Sequence, residues 1–214
     1  MTRRRVRQHM NPLKMSALIP REGPLDLPDG PRLEVELGCA EAAFLIERAR
    51  SEPDRLFVGV DIREKFLEPG RQAIAELGLT NIQLVPSNLI VDLDRLFLPG
   101  RVHRFHVLFP DPWFKRRHHN RRWLTAEAVT HLVDALEPRG EIFFQSDVWS
   151  VALEALALLE GCPALENLVG EWRFLRESPF EARSVRERLC REEGLPIWRM
   201  LFARRDDGDG ADWD

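Results

Sequence analysis

Residues 109–122 read Phe-Pro-Asp-Pro-Trp-Phe-Lys-Arg-Arg-His-His-Asn-Arg-Arg and carry more potential chemistry than any other stretch of the chain. Phe105, Val107, Leu108 and Phe109 form a short apolar run of the kind that makes a buried strand, and Pro110 and Pro112 end it around one carboxylate. Asp111 and Trp113 are therefore expected on a stiff loop at a strand end. An indole can stack on a nucleobase, and a carboxylate beside it can accept hydrogen bonds from donors on a base edge. Lys115, Arg116, Arg117, Arg121 and Arg122 follow at once, with enough positive charge to hold a phosphate backbone. Each piece also has a plain structural explanation. Pro-Asp-Pro is a common turn, a Trp after it can cap a core, and a basic cluster can be a solvated face or a localisation signal. Their adjacency at one strand end favours a nucleic acid base, because open α/β sheets bind ligands outside the carboxyl ends of their strands.

Loops of this kind need a sheet to hold them, and the chain alternates short apolar runs with longer amphipathic ones. Candidate strands are 32–37, 56–60, 82–86, 104–109 and 140–146; candidate helices are 40–50, 64–77, 89–97, 122–136 and 148–160. Such a βαβ series predicts a mostly parallel sheet with helices on both faces and right-handed crossovers. Beyond residue 165 the runs Trp172-Arg173-Phe174-Leu175 and Ile197 to Phe202 predict two further strands, read as an antiparallel pair at the sheet edge.

Three strand ends present polar groups. The first reads Glu36-Leu37-Gly38-Cys39-Ala40-Glu41-Ala42 and keeps one glycine of the G-x-G-x-x-G dinucleotide fingerprint, which argues against NAD or FAD. S-adenosylmethionine makes a smaller demand: it has no phosphate, and its ammonium and sulfonium groups suit a carboxylate such as Glu36. Asp61 closes the second strand about 20 residues beyond Gly38, the separation at which an acid grips ribose hydroxyls in this architecture. The alternative for it is a cap on the helix from Glu64. Asn88 follows the third strand, where its amide can bond adenine or cap a helix.

Composition sets the bounds. At 214 residues and 44% hydrophobic content the chain can bury one good core, so a single domain with additions is expected. The net charge of −4 argues against a nucleic-acid partner until its distribution is considered. Asp206, Asp207, Asp209, Asp212 and Asp214 crowd the last nine residues, and without those five charges −4 becomes +1. The organisation read from this is a basic arm over 1–30 (Arg3, Arg4, Arg5, Arg7, Lys14), a folded domain over 31–205 and an acidic, disordered tail over 206–214. Cys39, Cys162 and Cys190 are odd in number and widely spaced, which suggests neither disulfides nor a zinc site, and His118 and His119 lack partners for a metal. No signal sequence is visible and no apolar stretch reaches the roughly 20 residues of a membrane helix, so a cytoplasmic protein without membrane association is expected.

These residues together resemble the bacterial tRNA (guanine-N7)-methyltransferase family, from about Arg5 to Arg204. The most specific piece is Phe109-Pro110-Asp111-Pro112-Trp113 with Lys115 through Arg122, similar to the family's F-P-D-P-W-x-K-x-R-H-x-x-R-R signature. Arg5-Val6-Arg7-Gln8, Glu36-Leu37-Gly38, Ser146-Asp147 and Ser178-Pro179-Phe180-Glu181-Ala182-Arg183 resemble its other motifs. The resemblance implies a Rossmann-like class I S-adenosylmethionine-dependent fold with a seven-stranded, mostly parallel sheet. It implies methyl transfer to N7 of the variable-loop guanine of tRNA; no metal is assigned, and a monomer or weak homodimer is expected. By the same resemblance Glu36, Gly38, Asp61, Asn88 and Asp111 would contact the cofactor, and Asp111 would be catalytic. Lys115, Asp147 and the segment with Ser178, Phe180 and Glu181 would hold the guanine, while Trp113, Arg116, Arg117, Arg121 and Arg122 would engage the RNA. The chain departs from the family pattern at Ala40 and Ala42, which replace glycines, at Asn88, where an acid is usual, at Pro179, which replaces a Lys, and at Ser184, which replaces a Gly. Two rival readings are a methyltransferase for another substrate and a non-catalytic RNA-binding protein on a decayed methyltransferase fold.

Overall fold

The computed structural model describes residues 12–13, 19–112 and 123–206. Its strands are β1 (Leu33–Leu37), β2 (Leu56–Asp61), β3 (Ile82–Pro86), β4 (Val102–Leu108), β5 (Leu136–Ser146), β6 (Leu165–Asn167) and β7 (Trp198–Arg204). Its helices are α1 (Ala43–Ser51), α2 (Glu64–Glu76), α3 (Leu89–Asp92), α4 (Ala126–Ala135), α5 (Trp149–Glu160) and α6 (Val185–Glu192). The seven strands lie in the order β3-β2-β1-β4-β5-β7-β6. The pairings among the first five strands (β3 with β2, β2 with β1, β1 with β4, β4 with β5) are parallel, and β7 runs antiparallel to both β5 and β6. The mostly parallel, seven-stranded sheet expected from the sequence is present, and its order reverses between β1 and β4, which opens a crevice at their carboxyl ends.

Every residue of β1 is buried, because helices cover both faces of the sheet. Leu33, Val35 and Leu37 pack with α4 and α5 through Val129, Leu132, Ala152, Leu156 and Leu159. The opposite face packs Phe57 and Phe143 against Phe44 and Leu45 of α1, Leu67 of α2 and Phe180. Because side chains alternate along a strand, Glu34 and Glu36 point into this second face.

Three elements differ from the pattern reading. Residues 172–175 form no strand beyond a single bridge, Leu175 to Arg199. Trp172 there takes a left-handed φ of 59°, and the partner of β7 is instead Leu165–Asn167. Helix α3 is one turn rather than the run 89–97, and the chain beyond it carries Leu93, Leu96 and Phe97 into the core. Helix α6 has no apolar stripe to announce it; Ser184 caps it by accepting from Glu187 N at 3.2 Å, and its buried Glu187 is held by Arg199 and Gln145. Ser184, a departure from the family pattern, thus has a local role as a helix cap.

Candidate functional site

The crevice holds a cavity of about 170 Å³ lined by the ends of four parallel strands. Leu37 and Gly38 come from β1, Asp61 to Arg63 from β2, Ser87 to Ile90 from β3, and Leu108 to Asp111 from β4. Trp123, Leu124, Pro12 and four residues of α5 (Val151, Glu154, Ala155 and Leu158) close the remaining sides.

The β1–α1 loop is tied to β2 by its backbone: Gly38 N and Cys39 N donate to Val60 O at 2.7 and 3.0 Å, and Ala40 N donates to Asp61 Oδ2 at 3.0 Å. The loop keeps a glycine-like path although two of its residues are alanine, with φ of 85° at Gly38, 50° at Ala40 and 56° at Ala42. Close approach is supplied from the other side. A Cβ at Gly59 would lie 2.8 Å from Cys39 Sγ, and one at Gly70 would lie 2.6 Å from Glu41 O. The glycines that let this loop pack therefore sit on β2 and α2 rather than in the loop.

Glu36 precedes Leu37 on β1 but does not itself line the cavity; it is buried, and its Oε2 has no hydrogen-bond partner. Burial, reinforced by the charge of Asp61, pushes its pKa up to about 8. The same burial, with Glu36 and Asp61 nearby, drives the Cys39 thiol well above its ordinary range, so it is not a thiolate nucleophile. Asp61 is also buried but fully engaged. Its Oδ1 accepts from Arg63 N at 2.8 Å and Arg63 Nε at 2.9 Å, and its Oδ2 from Ala40 N at 3.0 Å and Arg63 Nη2 at 2.9 Å. It does not cap α2, whose N-cap residue is Arg63. Burial opposes the charge of Arg63, but the bonds to Asp61 and the charges of Asp61 and Asp111 outweigh it and raise its pKa.

Asn88 does cap a helix: its side chain accepts from Ile90 N at 3.2 Å and donates through Nδ2 to Pro12 O at 2.8 Å. The loop it sits on is organised by the Asp92 carboxylate, which takes Ser87 Oγ, Asn88 N at 3.3 Å and Arg21 N at 2.9 Å. At the end of β4, Phe109 adopts a left-handed φ of 51° while its N–H donates to Gln145 O at 2.7 Å. This strained residue turns Pro110 and Asp111 over the cavity, where Asp111 is exposed.

Gly38, Asp61, Asn88 and Asp111 thus meet around one cavity, whereas Glu36 is buried near Asp61 and does not line it. The residues expected to hold guanine are placed otherwise. Asp147 follows β5 and pairs with Arg186 of α6. Ser178 closes a turn by accepting from Phe180 N at 3.2 Å, Glu181 is exposed, and the Phe180 ring is buried 5.1 Å from both His106 and Phe143. None of these four lines the cavity. Trp113, Lys115, Arg116, Arg117, Arg121 and Arg122 lie outside the described residues, as do the basic arm up to Asn11 and the tail from Asp207. Arg63, Pro12 and the face of α5 were not singled out from sequence. Arg63 stands two positions after a strand-end acid, the one local signal available, whereas Pro12 and α5 arrive from distant parts of the chain.

Among the described residues no group of three or more His, Cys, Asp or Glu is placed to hold a metal ion. No helix among them is long and apolar enough to cross a membrane.

A reversed parallel sheet with one antiparallel strand near its edge, and acids at the ends of β1, β2 and β4, defines the class I methyltransferase fold. The 16S rRNA methyltransferase KamB shares it, with a TM-score of 0.58 at 16% identity, covering 81% of this chain and 88% of that one. A family model described as "Putative methyltransferase" matches residues 31–200. A tRNA (guanine-N(7)-)-methyltransferase of Nostoc sp. (strain PCC 7120) is 37% identical over 94% of this chain and 94% of its own length. One from Synechococcus sp. (strain JA-3-3Ab) is 36% identical over 94% of this chain and 86% of its own. The chain belongs to the tRNA (guanine-N(7)-)-methyltransferase family.

Proposed function

We propose that this protein transfers a methyl group from S-adenosylmethionine to N7 of a guanine in tRNA. The observation that carries the reading is the meeting of Asp111, from the family's most specific motif, with Asp61 and Asn88 around one cavity. The orphaned Glu36 oxygen is the feature that fits the cofactor: a buried carboxylate without a partner is stabilised by a cationic donor, which an ammonium supplies. Asp61 and Asn88 suit the ribose hydroxyls and the adenine edge, and Ile62, Leu89 and Phe109 give apolar walls for a purine.

The cofactor, when bound, supplies an electrophilic methyl group on a sulfonium. Guanine N7 carries an in-plane lone pair, so no general base is needed and the protein's task is alignment. Positive charge grows on the purine as N7 is methylated, and Asp111 would stabilise it by electrostatics and accept from the base edge. Asp147 is available for the same work if Arg186 releases it. The basic residues of 115–122 serve to hold the RNA backbone, and Trp113 to stack on the base.

The test is incubation with radiolabelled S-adenosylmethionine and unmodified tRNA, followed by digestion and identification of the labelled nucleoside. Label in 7-methylguanosine is expected, and Asp111→Ala should lower turnover at least a hundredfold, as loss of a transition-state contact of about 3 kcal/mol does. A folded Asp111→Ala protein with near-normal turnover would remove Asp111 from the chemistry.

A further inference from the structure

Asp61 is read above as the ribose-binding carboxylate, and a carboxylate has about four lone-pair sites for hydrogen bonds. All four are filled by this chain's own donors: two by the backbone N–H groups of Arg63 and Ala40, two by Arg63 Nε and Nη2. The guanidinium places one bond on each carboxylate oxygen, the pattern that the two vicinal hydroxyls of a ribose would make. The backbone donors belong to the loops around Asp61 and can stay with them when a ligand arrives. The guanidinium cannot. The Arg63 side chain is also the more accessible of the two, 23% exposed against 3% for Asp61. It lies 4.2 Å from the centre of the Phe66 ring, and it feels the charge of Asp111 as well as that of Asp61.

We infer that Arg63 is an internal competitor for the ribose site: its guanidinium fork mimics the ribose diol on Asp61 and must leave for an adenosyl ligand to bind. Asp111 is the other acid whose charge the guanidinium feels. The inference rests on the reading of the cavity as an S-adenosylmethionine site.

Titration calorimetry of the full chain and its Arg63→Ala and Arg63→Lys variants, with S-adenosylmethionine and with S-adenosylhomocysteine, tests it. Both ligands carry the same ribose, but only the first has a net positive charge. If the fork leaves Asp61 free about a tenth of the time, Arg63→Ala should bind both ligands about tenfold tighter. Arg63→Lys, which keeps the charge but not the fork, should tighten both by a smaller factor and serves alone if Arg63→Ala does not fold. Tighter binding of S-adenosylmethionine only would show a charge effect and overturn the competition, and unchanged or weaker binding of both would make Arg63 a mere brace for Asp61. Failure of the parent chain to bind either ligand would instead defeat the cofactor reading itself, an outcome the variants cannot imitate.

Discussion

Glu34 and Glu36 stand two residues apart on β1, point to the same face and are both buried, yet the structure treats them in opposite ways. Glu34 receives Arg48 at 2.8 Å, Arg55 and Arg104 at 2.9 Å, and the His106 ring at 2.9 Å. Phe180 roofs this cluster, 4.9 Å from the Arg48 guanidinium and 5.1 Å from that of Arg104. Burial pushes the Glu34 pKa up, but the His106 hydrogen bond and the nearby charges outweigh it and hold it far below the carboxylate range. Glu36, nearer the carboxyl end of the sheet, meets a second carboxylate instead of a cation, and its pKa rises to about 8. A buried acid that is saturated holds a fold together; one that is left wanting a cation is poised to bind one.

The largest effect expected from breaking this contrast is on the saturated side. Glu34→Ala strips three guanidinium groups of their shared buried partner and should destabilise the protein by about 3–5 kcal/mol in urea unfolding. A loss below about 1 kcal/mol would mean that the arginines reach water without it. Glu36→Gln is predicted to do the reverse, leaving the ligand-free fold as stable or more so while weakening S-adenosylmethionine binding ten- to a hundredfold, the loss of a charged hydrogen bond of about 1.5–3 kcal/mol. Equal cofactor affinity in this variant would separate Glu36 from the ammonium group.

The two acids should also respond to pH in opposite directions. The Glu34 contribution is fully present above its ordinary pKa of 4.5 and is lost as pH falls below it. For Glu36 the folded protein keeps its proton where the unfolded chain releases it, so stability falls as pH rises from 4.5 to about 8 and levels off above. A ligand cation on Glu36 displaces that proton, so cofactor affinity should climb over the same approach to pH 8. Thermal melts of the parent chain and Glu36→Gln should diverge across this window, and parallel melts would contradict the raised pKa.

The smallest effect concerns the loop beside Glu36. Ala40 is half-buried with φ of 50°, so Ala40→Gly relieves left-handed strain and should stabilise the fold by about 0.5–1 kcal/mol. A destabilised variant would show that the alanine methyl packs more than it strains.

Much of this arrangement could be read from the chain. Apolar runs ending in Glu36, Asp61, Asn88 and Asp111 located four strand ends, because strand period and proline stops are local properties. Where several physical roles suit one residue, the pattern could not choose. Asn88 is a helix cap that also lines the cavity, and the Ser178-Phe180-Glu181 motif puts Phe180 in the core, since an aromatic ring satisfies a pocket or a core equally well. The strand at Leu165–Asn167 and helix α6 were missed for a related reason: one is three residues long, and the other buries a glutamate and a cysteine rather than an apolar stripe.

By itself the sequence determined the class of sheet, the carboxylates at its strand ends and the motif that joins this chain to its family, all of which follow from composition and short-range spacing. Only the tertiary structure decided which of two like glutamates is neutralised, because Glu34 draws partners from 14 to 72 residues away while none reaches Glu36 Oε2. It alone decided, too, that the carboxylate read as a ribose grip is already held by Arg63. Charge state and availability depend on burial and on which groups converge after folding, and neither is a property of spacing along the chain.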